Sequence, residues 1–225
     1  MENIQSRLLE MIQKADRQGA NNLLAAWSEE HGYEKLLKQI LIPTLQHIGE
    51  EWRTSENFSI AQSYVAAKIV EDALFMTLKN KKDNVNTVSE KGPVVIGNIE
   101  DDFHSLGRRM VKTFLEADGW IVYDLGNDVT AEEFVDTAVE IGARVIGASA
   151  MMKTTAYNIK KLRKELDRRN LSGHIQLAVG GAVFMVSPNL EKEIGSDGSS
   201  STAIDAPELF DELWEASLQQ ETVHE

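Results

Sequence analysis

The sequence contains no cysteine, only four prolines and few aromatic residues, 7% in total. Without cysteine the chain can form no disulfide, no cysteine-ligated zinc or iron–sulfur centre and no catalytic thiolate. Basic residues are also scarce, since 23 Lys and Arg stand against 36 Asp and Glu, for a formal net charge of −13. Binding to polyanions needs concentrated Lys and Arg, so nucleic acids and anionic membrane surfaces are excluded as main partners.

Long hydrophobic runs are absent as well. No segment of the 225 residues approaches the ~18 apolar residues of a membrane span. The first 19 residues are polar and amphipathic, without the apolar segment of a signal peptide. These features predict a soluble, cytoplasmic protein, long enough for one large domain or two small domains at roughly 100–150 residues each.

Residues 1–80 are typical of helices, because their apolar residues recur at spacings of three and four. Gly19 is expected to end the first helix, and Pro43 to kink or restart the third. A fourth helix is expected to include the apolar positions from Ile60 to Leu78. We therefore predict a four-helix bundle over 1–80, followed by a polar linker over 81–92.

Residues 93–225 alternate between short apolar runs and amphipathic segments. The expected strands are Pro93–Gly97, Trp120–Tyr123, Val145–Ala148, Ile175–Val179 and a weak fifth strand around Gly198. The expected helices are Leu106–Ala117, Ala131–Ile141, Ala156–Arg169 and about Ala206–Leu218. This alternation predicts an α/β domain with a five-stranded parallel sheet, doubly wound and flavodoxin- or Rossmann-like. Ligands of such domains bind beyond the carboxyl ends of the strands.

The first strand leads into the pattern D-x-H-x-x-G, formed by Asp102, His104 and Gly107. A carboxylate two residues from an imidazole can accept its second N–H, which fixes the tautomer, as is usual for a histidine that binds a metal. The alternative is a solvated histidine in a charged loop. One histidine cannot build a zinc site, which needs three or four ligands, so a metal bound by His104 would arrive already held by a cofactor.

Two further strand ends carry candidate residues. Ser149 lies at the tip of the third strand, before Thr154 and Thr155, and these hydroxyls could simply cap the next helix. A nucleophile elbow is excluded because Met151 stands where that motif needs glycine. Gly180-Gly181 follow the fourth strand and form either a turn or a strip of bare backbone against which a ligand lies.

Taken in order, these motifs resemble the cobalamin (vitamin B12)-binding domain family. Its D-x-H-x-x-G, S-x-L and G-G patterns are matched here by Asp102–Gly107, Ser149-Ala150-Met151 and Gly180-Gly181, with Met in place of Leu. The late segment Ile194–Ser200 is similar to the family's I-G-A-D-G stretch, although the aromatic residue that usually follows is missing. The helical half resembles the four-helix cap of methionine synthase and of corrinoid methyl-carrier proteins.

The resemblance implies a bound cobalamin or related corrinoid in the base-off, His-on mode, with His104 as the lower cobalt ligand and Asp102 on its other nitrogen. It also implies a proton relay through Thr155. Lys153 departs from the family, many members of which have a small hydroxyl residue there. The implied cofactor-binding residues are Asp102, Phe103, His104, Ser105, Leu106, Gly107, Ser149, Met151, Thr155, Gly180, Gly181, Ala182 and Gly198, with Trp52 and Tyr64 from the cap.

By resemblance, the protein is a methyl carrier that alternates between cob(I)alamin and methylcobalamin and has no catalytic residues of its own. Its implied partners are a methyl-donor-side methyltransferase, a methyl-acceptor-side methyltransferase that often uses tetrahydrofolate, and a reductive activator. Trp52, and with it Phe58 and Tyr64, would shield the upper face of the cobalt, or else belong to the core of the bundle.

Other functions fit the sequence less well. Light-sensing relatives carry Trp, nine further residues and then Glu-His, and in the last two positions this chain has Gln62-Ser63. A receiver domain would need an acceptor aspartate where Ser149 stands, and an adenosylcobalamin mutase acts with a large catalytic barrel. An adenosylcobalamin-binding sensor without a DNA-binding domain is the remaining alternative.

Overall fold

The computed structural model describes residues 4–41, 43–44, 47–48, 65–66, 68–69, 72–73, 76, 91–187, 189–200, 202–203 and 205–221. The chain divides into two compact units, residues 1–85 and 86–225. The first is mainly helical where it is described, and the second is an α/β unit. The predicted linker lies largely outside the described residues, and the first strand begins at Lys91, within the stretch expected to be linker.

The first unit begins with helices α1 (Ile4–Gln13) and α2 (Arg17–His31), followed by α3 (Tyr33–Lys35) and a π-helical segment over Leu36–Leu41. Its buried side chains are mainly aliphatic and include Leu8, Ile12, Leu24, Leu36 and Ile69. Described positions between 65 and 76 are helical, where the fourth helix was expected. We also expected the third helix to continue past Pro43 to Trp52; positions 43–44 and 47–48 are helical, and the rest of that stretch lies outside the described residues.

The prediction that Gly19 ends the first helix is wrong. The first helix ends at Gln13, and the break follows at Ala15, whose φ of +56° is left-handed. Asp16 then caps α2, because its Oδ1 accepts the N–H of Gly19 at 2.8 Å. A Cβ atom on Gly19 would lie 2.2 Å from an oxygen of Asp16, so this glycine makes room for a helix start.

The second unit contains a parallel five-stranded sheet, as predicted. Its strands are β1 (Lys91–Asn98), β2 (Trp120–Asp124), β3 (Val145–Ser149), β4 (Gln176–Gly180) and β5 (Gly198–Ser199), in the order β2-β1-β3-β4-β5. Its helices are α4 (Leu106–Ala117), α5 (Ala131–Ile141), α6 (Lys153–Ala156), α7 (Ile159–Arg168), α8 (Ala182–Val186), α9 (Leu190–Ile194) and α10 (Ala206–Glu221). This order is the flavodoxin-like doubly wound arrangement.

Helices cover the sheet on both faces, which is why the central strands are apolar on both sides. On one face Phe134 of α5 lies against Gly97, where a Cβ atom would be 2.6 Å from its ring. On the other face Phe210 of α10 lies against Gly147, where a Cβ atom would be 2.9 Å from its ring. The two glycines therefore let one large aromatic ring approach each face of the sheet.

Three helix predictions differ from the structure. The expected helix over Ala156–Arg169 is two helices, α6 and α7, separated at Tyr157 and Asn158. The break occurs where Asn158 turns its amide to the β1–α4 loop, donating to the backbone oxygen of Glu100 at 3.0 Å. The closing helix extends to Glu221, and the short helices α8 and α9 were not predicted.

Candidate functional site

Three strand ends lie side by side at the carboxyl edge of the sheet. In the register of the ladders, Asn98 of β1 pairs with Ser149 of β3, and Ser149 pairs with Gly180 of β4. The chain leaves β1 toward β2 and leaves β3 toward β4, so the crossovers diverge between β1 and β3. This divergence is the topological switch point, where doubly wound folds open a crevice for ligands.

Asp102 is the polar centre of this edge and is fully buried. Its Oδ1 accepts from the backbone N–H of His104 at 2.9 Å and from Asn98 Nδ2 at 2.9 Å. Its Oδ2 accepts from the backbone N–H of Met151 at 2.7 Å and from Thr155 Oγ1 at 2.8 Å. The carboxylate is therefore held by four donors from β1, its own loop and the start of the β3–α7 connection.

These donors decide the ionisation state of Asp102. Burial by itself raises the pKa of the carboxyl group, because it penalises the charged form. The two backbone N–H groups, the Asn98 amide and the Thr155 hydroxyl all stabilise the charge, and together they hold the pKa below its ordinary value. Asp102 is thus an ionised acceptor at neutral pH.

His104 stands beside this carboxylate with half of its side chain exposed. Its Nδ1 lies 3.4 Å from Asp102 Oδ1, so Nε2 is the ring nitrogen left for another partner. A carboxylate that faces one imidazole nitrogen fixes the tautomer and raises the basicity of the other, which is the usual support for a histidine that binds a metal. Phe103, next to it, is 64% exposed and offers an apolar surface at the same edge.

The loop that carries Asp102 is braced from two sides. Asp101 and Asp128 both have left-handed backbone angles, φ +68° and +57°, which Asp tolerates better than most residues. The N–H of Asp101 donates to Asp128 Oδ1 at 2.8 Å, and the N–H of Asp128 donates to the backbone oxygen of Asp102. Asn158 adds a hydrogen bond to Asp101 Oδ2 at 3.2 Å. The acidic residues around the motif therefore shape the loop.

Gly107, Gly180 and Gly181 occupy this edge for different reasons. A Cβ atom on Gly107 or Gly180 would point into open space. A Cβ atom on Gly181 would lie 2.0 Å from the backbone oxygen of Ala150, and its φ of +115° suits glycine alone. Gly181 is therefore required by the fold, whereas Gly107 and Gly180 leave room for a ligand.

The other predicted site residues are distributed around the edge. Ser105 precedes α4, Leu106 begins it, and Ala182 begins α8. Met151 is 40% exposed. Gly198 lies further back, paired with Ala178, where a Cβ atom would be 2.7 Å from Leu209. Trp52, Phe58 and Tyr64 lie outside the described residues.

Asn98 belongs to the site but was not identified from the sequence. It ends a strand of apolar residues, and a polar residue at a strand end is too common to be a signal by itself. Only the folded loop brings Asp102 back onto its amide. Lys153, the residue that departs from the family pattern, lies at the start of α6 with its ammonium group 5.9 Å from the centre of the Tyr157 ring.

The described residues of this edge do not by themselves form a metal site. Within the described ranges, no cluster of three or more His, Cys, Asp or Glu residues could hold a metal ion. The edge instead offers one supported imidazole, an exposed aromatic ring and two glycines with free space, which suit a large, flat cofactor that brings its own metal. The fold is that of a doubly wound α/β protein, and the described residues at its switch point are compatible with such a ligand.

A family comparison identifies that ligand. Residues 92–208, just over half of the chain, match the model of the B12 binding domain. The chain belongs to this family, and its cofactor is a cobalamin-type corrinoid.

Individual relatives extend the similarity beyond this domain. A corrinoid protein of Desulfitobacterium hafniense is 32% identical over 213 residues, which cover 92% of this chain and 97% of the relative. A trimethylamine corrinoid protein of Methanosarcina acetivorans is 29% identical over 206 residues, covering 88% and 89%.

Solved structures agree in fold. The monomethylamine corrinoid protein of Methanosarcina barkeri matches with a TM-score of 0.76 and 24% identity, over 94% of this chain and 99% of that one. A methanol:cobalamin methyltransferase complex from the same organism matches with a TM-score of 0.52 and 21% identity, over 98% and 85%. No described helix has the length and apolar character needed to cross a membrane.

Proposed function

We propose that this protein carries a methyl group on a corrinoid between partner methyltransferases, with His104 as the lower axial ligand of the cobalt. The observation that carries the proposal is the pairing of a fully buried, ionised Asp102 with a half-exposed His104 at the switch point of the sheet. This is the arrangement that a protein needs to present one basic imidazole nitrogen to a metal.

The residues around His104 have distinct roles in this proposal. Asp102 holds the Nδ1 side of the imidazole and keeps Nε2 free for the metal. Thr155 donates to Asp102 Oδ2, and its hydroxyl can both donate and accept, as a proton relay behind Asp102 requires. The bound corrinoid supplies the chemistry of methyl uptake and release at cobalt.

The rest of the edge receives the body and the nucleotide tail of the cofactor. Phe103 gives an apolar contact for the macrocycle, and Gly107 and Gly180 leave open space in which the tail can pass close to the backbone. Ser149 lies in register between Asn98 and Gly180 and offers a hydroxyl to the tail. The base-off mode follows, because a tail lodged in the sheet cannot ligate the cobalt.

The carrier role implies partners. Relatives are named as trimethylamine and monomethylamine corrinoid proteins, and a structural match contains a methyltransferase bound to its corrinoid protein. We infer a methyl-donor-side methyltransferase, an acceptor-side methyltransferase for which tetrahydrofolate is one candidate acceptor, and a reductive activator. We expect the exchange to take place in the cytoplasm.

The direct test is the visible spectrum of purified protein after incubation with hydroxocobalamin and desalting. Wild type should retain corrinoid with a histidine-ligated spectrum, and His104→Ala should retain less and lose that spectrum. His174→Ala is the matched control, because His174 precedes β4, away from the carboxyl edge. Wild type that keeps no corrinoid, or His104→Ala with an unchanged spectrum, would refute the proposed ligand.

A second comparison separates a carrier from a sensor. Methylcobalamin and adenosylcobalamin differ in the upper ligand of the cobalt. A methyl carrier should retain methylcobalamin at least as well as it retains adenosylcobalamin. Retention of adenosylcobalamin alone would favour an adenosylcobalamin-binding sensor instead.

A further inference from the structure

Asn98 makes contacts that neither the sequence motif nor the proposed ligand pair accounts for. It is the last residue of β1 and is fully buried. Its backbone is fixed by two hydrogen bonds, from its own N–H to the oxygen of Gly126 at 2.8 Å and from the N–H of Val129 to its oxygen at 2.9 Å. The side chain therefore extends from a rigid point at the centre of the sheet.

The amide nitrogen of Asn98 binds the aspartate and the histidine of the motif together. Nδ2 donates to Asp102 Oδ1 at 2.9 Å and to the backbone oxygen of His104 at 3.1 Å. The backbone N–H of His104 donates to the same Asp102 Oδ1. The peptide groups on both sides of the His104 Cα atom are thus tied to one buried cluster, which fixes the direction in which the imidazole leaves the chain.

The chemistry of the two partners sets the orientation of this amide. Both are oxygens that only accept, so the reversed amide would place its carbonyl oxygen against a carboxylate and a carbonyl. In the observed orientation Oδ1 is buried and meets no donor among the described residues. An unpaired buried carbonyl opposes folding, so an apolar residue of similar size would serve the core better. The contacts of Nδ2 are therefore the reason for an asparagine at this position.

We propose that Asn98 is a positioning residue for the axial ligand, acting on His104 through its backbone oxygen and through Asp102. This inference rests on the proposed function, since it takes His104 to be the cobalt ligand. Without the Asn98 amide, the His104 peptide keeps its bond to Asp102 but loses the one to β1. The imidazole then samples a wider range of directions, and axial ligation weakens by about 10–100-fold, as is typical for lost support of a metal ligand.

The test compares two leucine substitutions. Asn98→Leu removes the amide while keeping the number and branching of the side-chain heavy atoms. Asn158→Leu is the matched control, because Asn158 Nδ2 also donates to a backbone oxygen and a carboxylate of the same loop, those of Glu100 and Asp101, and does not contact His104. Each protein is labelled with ¹⁵N, loaded with unlabelled cobalamin and reduced to Co(II). The ¹⁵N superhyperfine splitting in its electron paramagnetic resonance spectrum then reports histidine ligation and is distinct from the ¹⁴N splitting of the cofactor's own benzimidazole. Circular dichroism and thermal unfolding check that each variant is folded.

The expected result is loss of the ¹⁵N splitting in Asn98→Leu with retention in Asn158→Leu. Asn98→Ser, which restores a short hydroxyl donor, should recover part of the splitting if the lost hydrogen bonds are the cause. Equal splitting in the two leucine variants, or equal loss in both, would overturn the positioning role. If wild type itself shows no ¹⁵N splitting, the proposed function fails, and this outcome is distinct from failure of the Asn98 inference. If Asn98→Leu does not fold, Asn98→Ala takes its place: loss of the splitting supports the positioning role, and a splitting identical to wild type overturns it.

Discussion

At the scale of single residues, Asp102 owes its properties to partners that are distant in sequence. Two of its donors, Met151 and Thr155, lie 49 and 53 residues away along the chain, and Asn98 approaches it from the end of β1. These bonds compensate for burial and keep the carboxylate charged. A charged, immobile carboxylate is what can hold an imidazole in one orientation.

Asp102→Asn should therefore weaken axial ligation while preserving shape. The introduced amide keeps one oxygen that can accept hydrogen bonds, but its NH₂ group would lie against N–H and O–H donors that the carboxylate accepted from. The amide is also neutral, so it does not attract the His104 imidazole as a carboxylate does. Loss of such a partner costs about 10–100-fold in metal affinity. The amount of corrinoid retained after desalting measures the effect. Asp101→Asn is the control, because Asp101 is exposed and Asn also tolerates its left-handed backbone. Equal losses of bound corrinoid in the two variants would contradict the prediction.

The adjacent glycines 180 and 181 should respond in opposite ways to alanine. Gly181→Ala meets the Ala150 oxygen and a φ of +115°, and should destabilise the protein by about 1–3 kcal/mol from backbone strain alone. Gly180→Ala meets nothing and should fold normally, but its methyl group should obstruct the tail and lower corrinoid retention. Thermal unfolding measures the loss of stability in Gly181→Ala, and the amount of corrinoid retained after desalting measures the obstruction in Gly180→Ala. A Gly180→Ala variant with normal retention would show that the tail does not pass this position.

At the scale of elements, α5 and α7 are joined across one face of the sheet by a charged network. Glu165 of α7 accepts from Arg168 and Arg169, and Arg169 also binds Asp136 of α5 at 2.6 Å. The hydrogen bonds from the two arginines lower the pKa of Glu165 from 4.5 to about 2. The folded state therefore favours the ionised form of this carboxyl group.

This network should contribute stability only where Glu165 is ionised. Because the folded pKa is lowered, the contribution is fully present above about pH 4.5 and is lost as the pH falls toward about 2. Glu165→Gln should lower the free energy of unfolding at pH 6, and the difference from wild type should shrink over that acid range. Denaturant titrations at several pH values measure it. Glu140→Gln is the control, because Glu140 is exposed on α5 and has no ion pair among the described residues. Its difference from wild type should not change over this pH range. A pH-independent difference for Glu165→Gln would contradict the role given to the ionised Glu165.

Element boundaries show which sequence signals are reliable. Helices α4 and α5 begin and end at the predicted residues, and α5 has a full capping box at Thr130 and Glu133. The break between α6 and α7 was missed because no glycine or proline marks it. Its cause is the contact of Asn158 with the β1–α4 loop, a tertiary interaction that local patterns do not contain.

At the scale of the whole molecule, the chain is two units, each with its own buried residues. The α/β unit contains both faces of the sheet core and every described partner of Asp102. The described residues that the proposed lower ligation uses therefore all belong to one unit.

Residues 86–225 alone should therefore fold and keep histidine ligation. We expect a single cooperative thermal transition, because the sheet is covered on both faces by helices of the same unit. We also expect the ¹⁵N splitting of histidine-ligated Co(II) corrinoid in the electron paramagnetic resonance spectrum of the ¹⁵N-labelled fragment, with the labelled full chain as the reference. A broad, non-cooperative transition would show that the helical unit is needed for folding, and cooperative folding without splitting would show that it is needed for ligation.

The sequence by itself determined the alternation of strands and helices, the parallel sheet and the family, because apolar periodicity and the D-x-H-x-x-G motif are local features. It also placed Asp102, His104 and Thr155 among the candidates. It could not indicate Asn98, the bracing of the loop by Asp128 and Asn158, or the different demands on Gly180 and Gly181. Those depend on the strand order, which sets β1 beside β3 and β3 beside β4 and so brings together groups dozens of residues apart. Contacts of that range arise only when the chain is folded, and at this edge they bring Asn98 and Thr155 onto Asp102, beside His104.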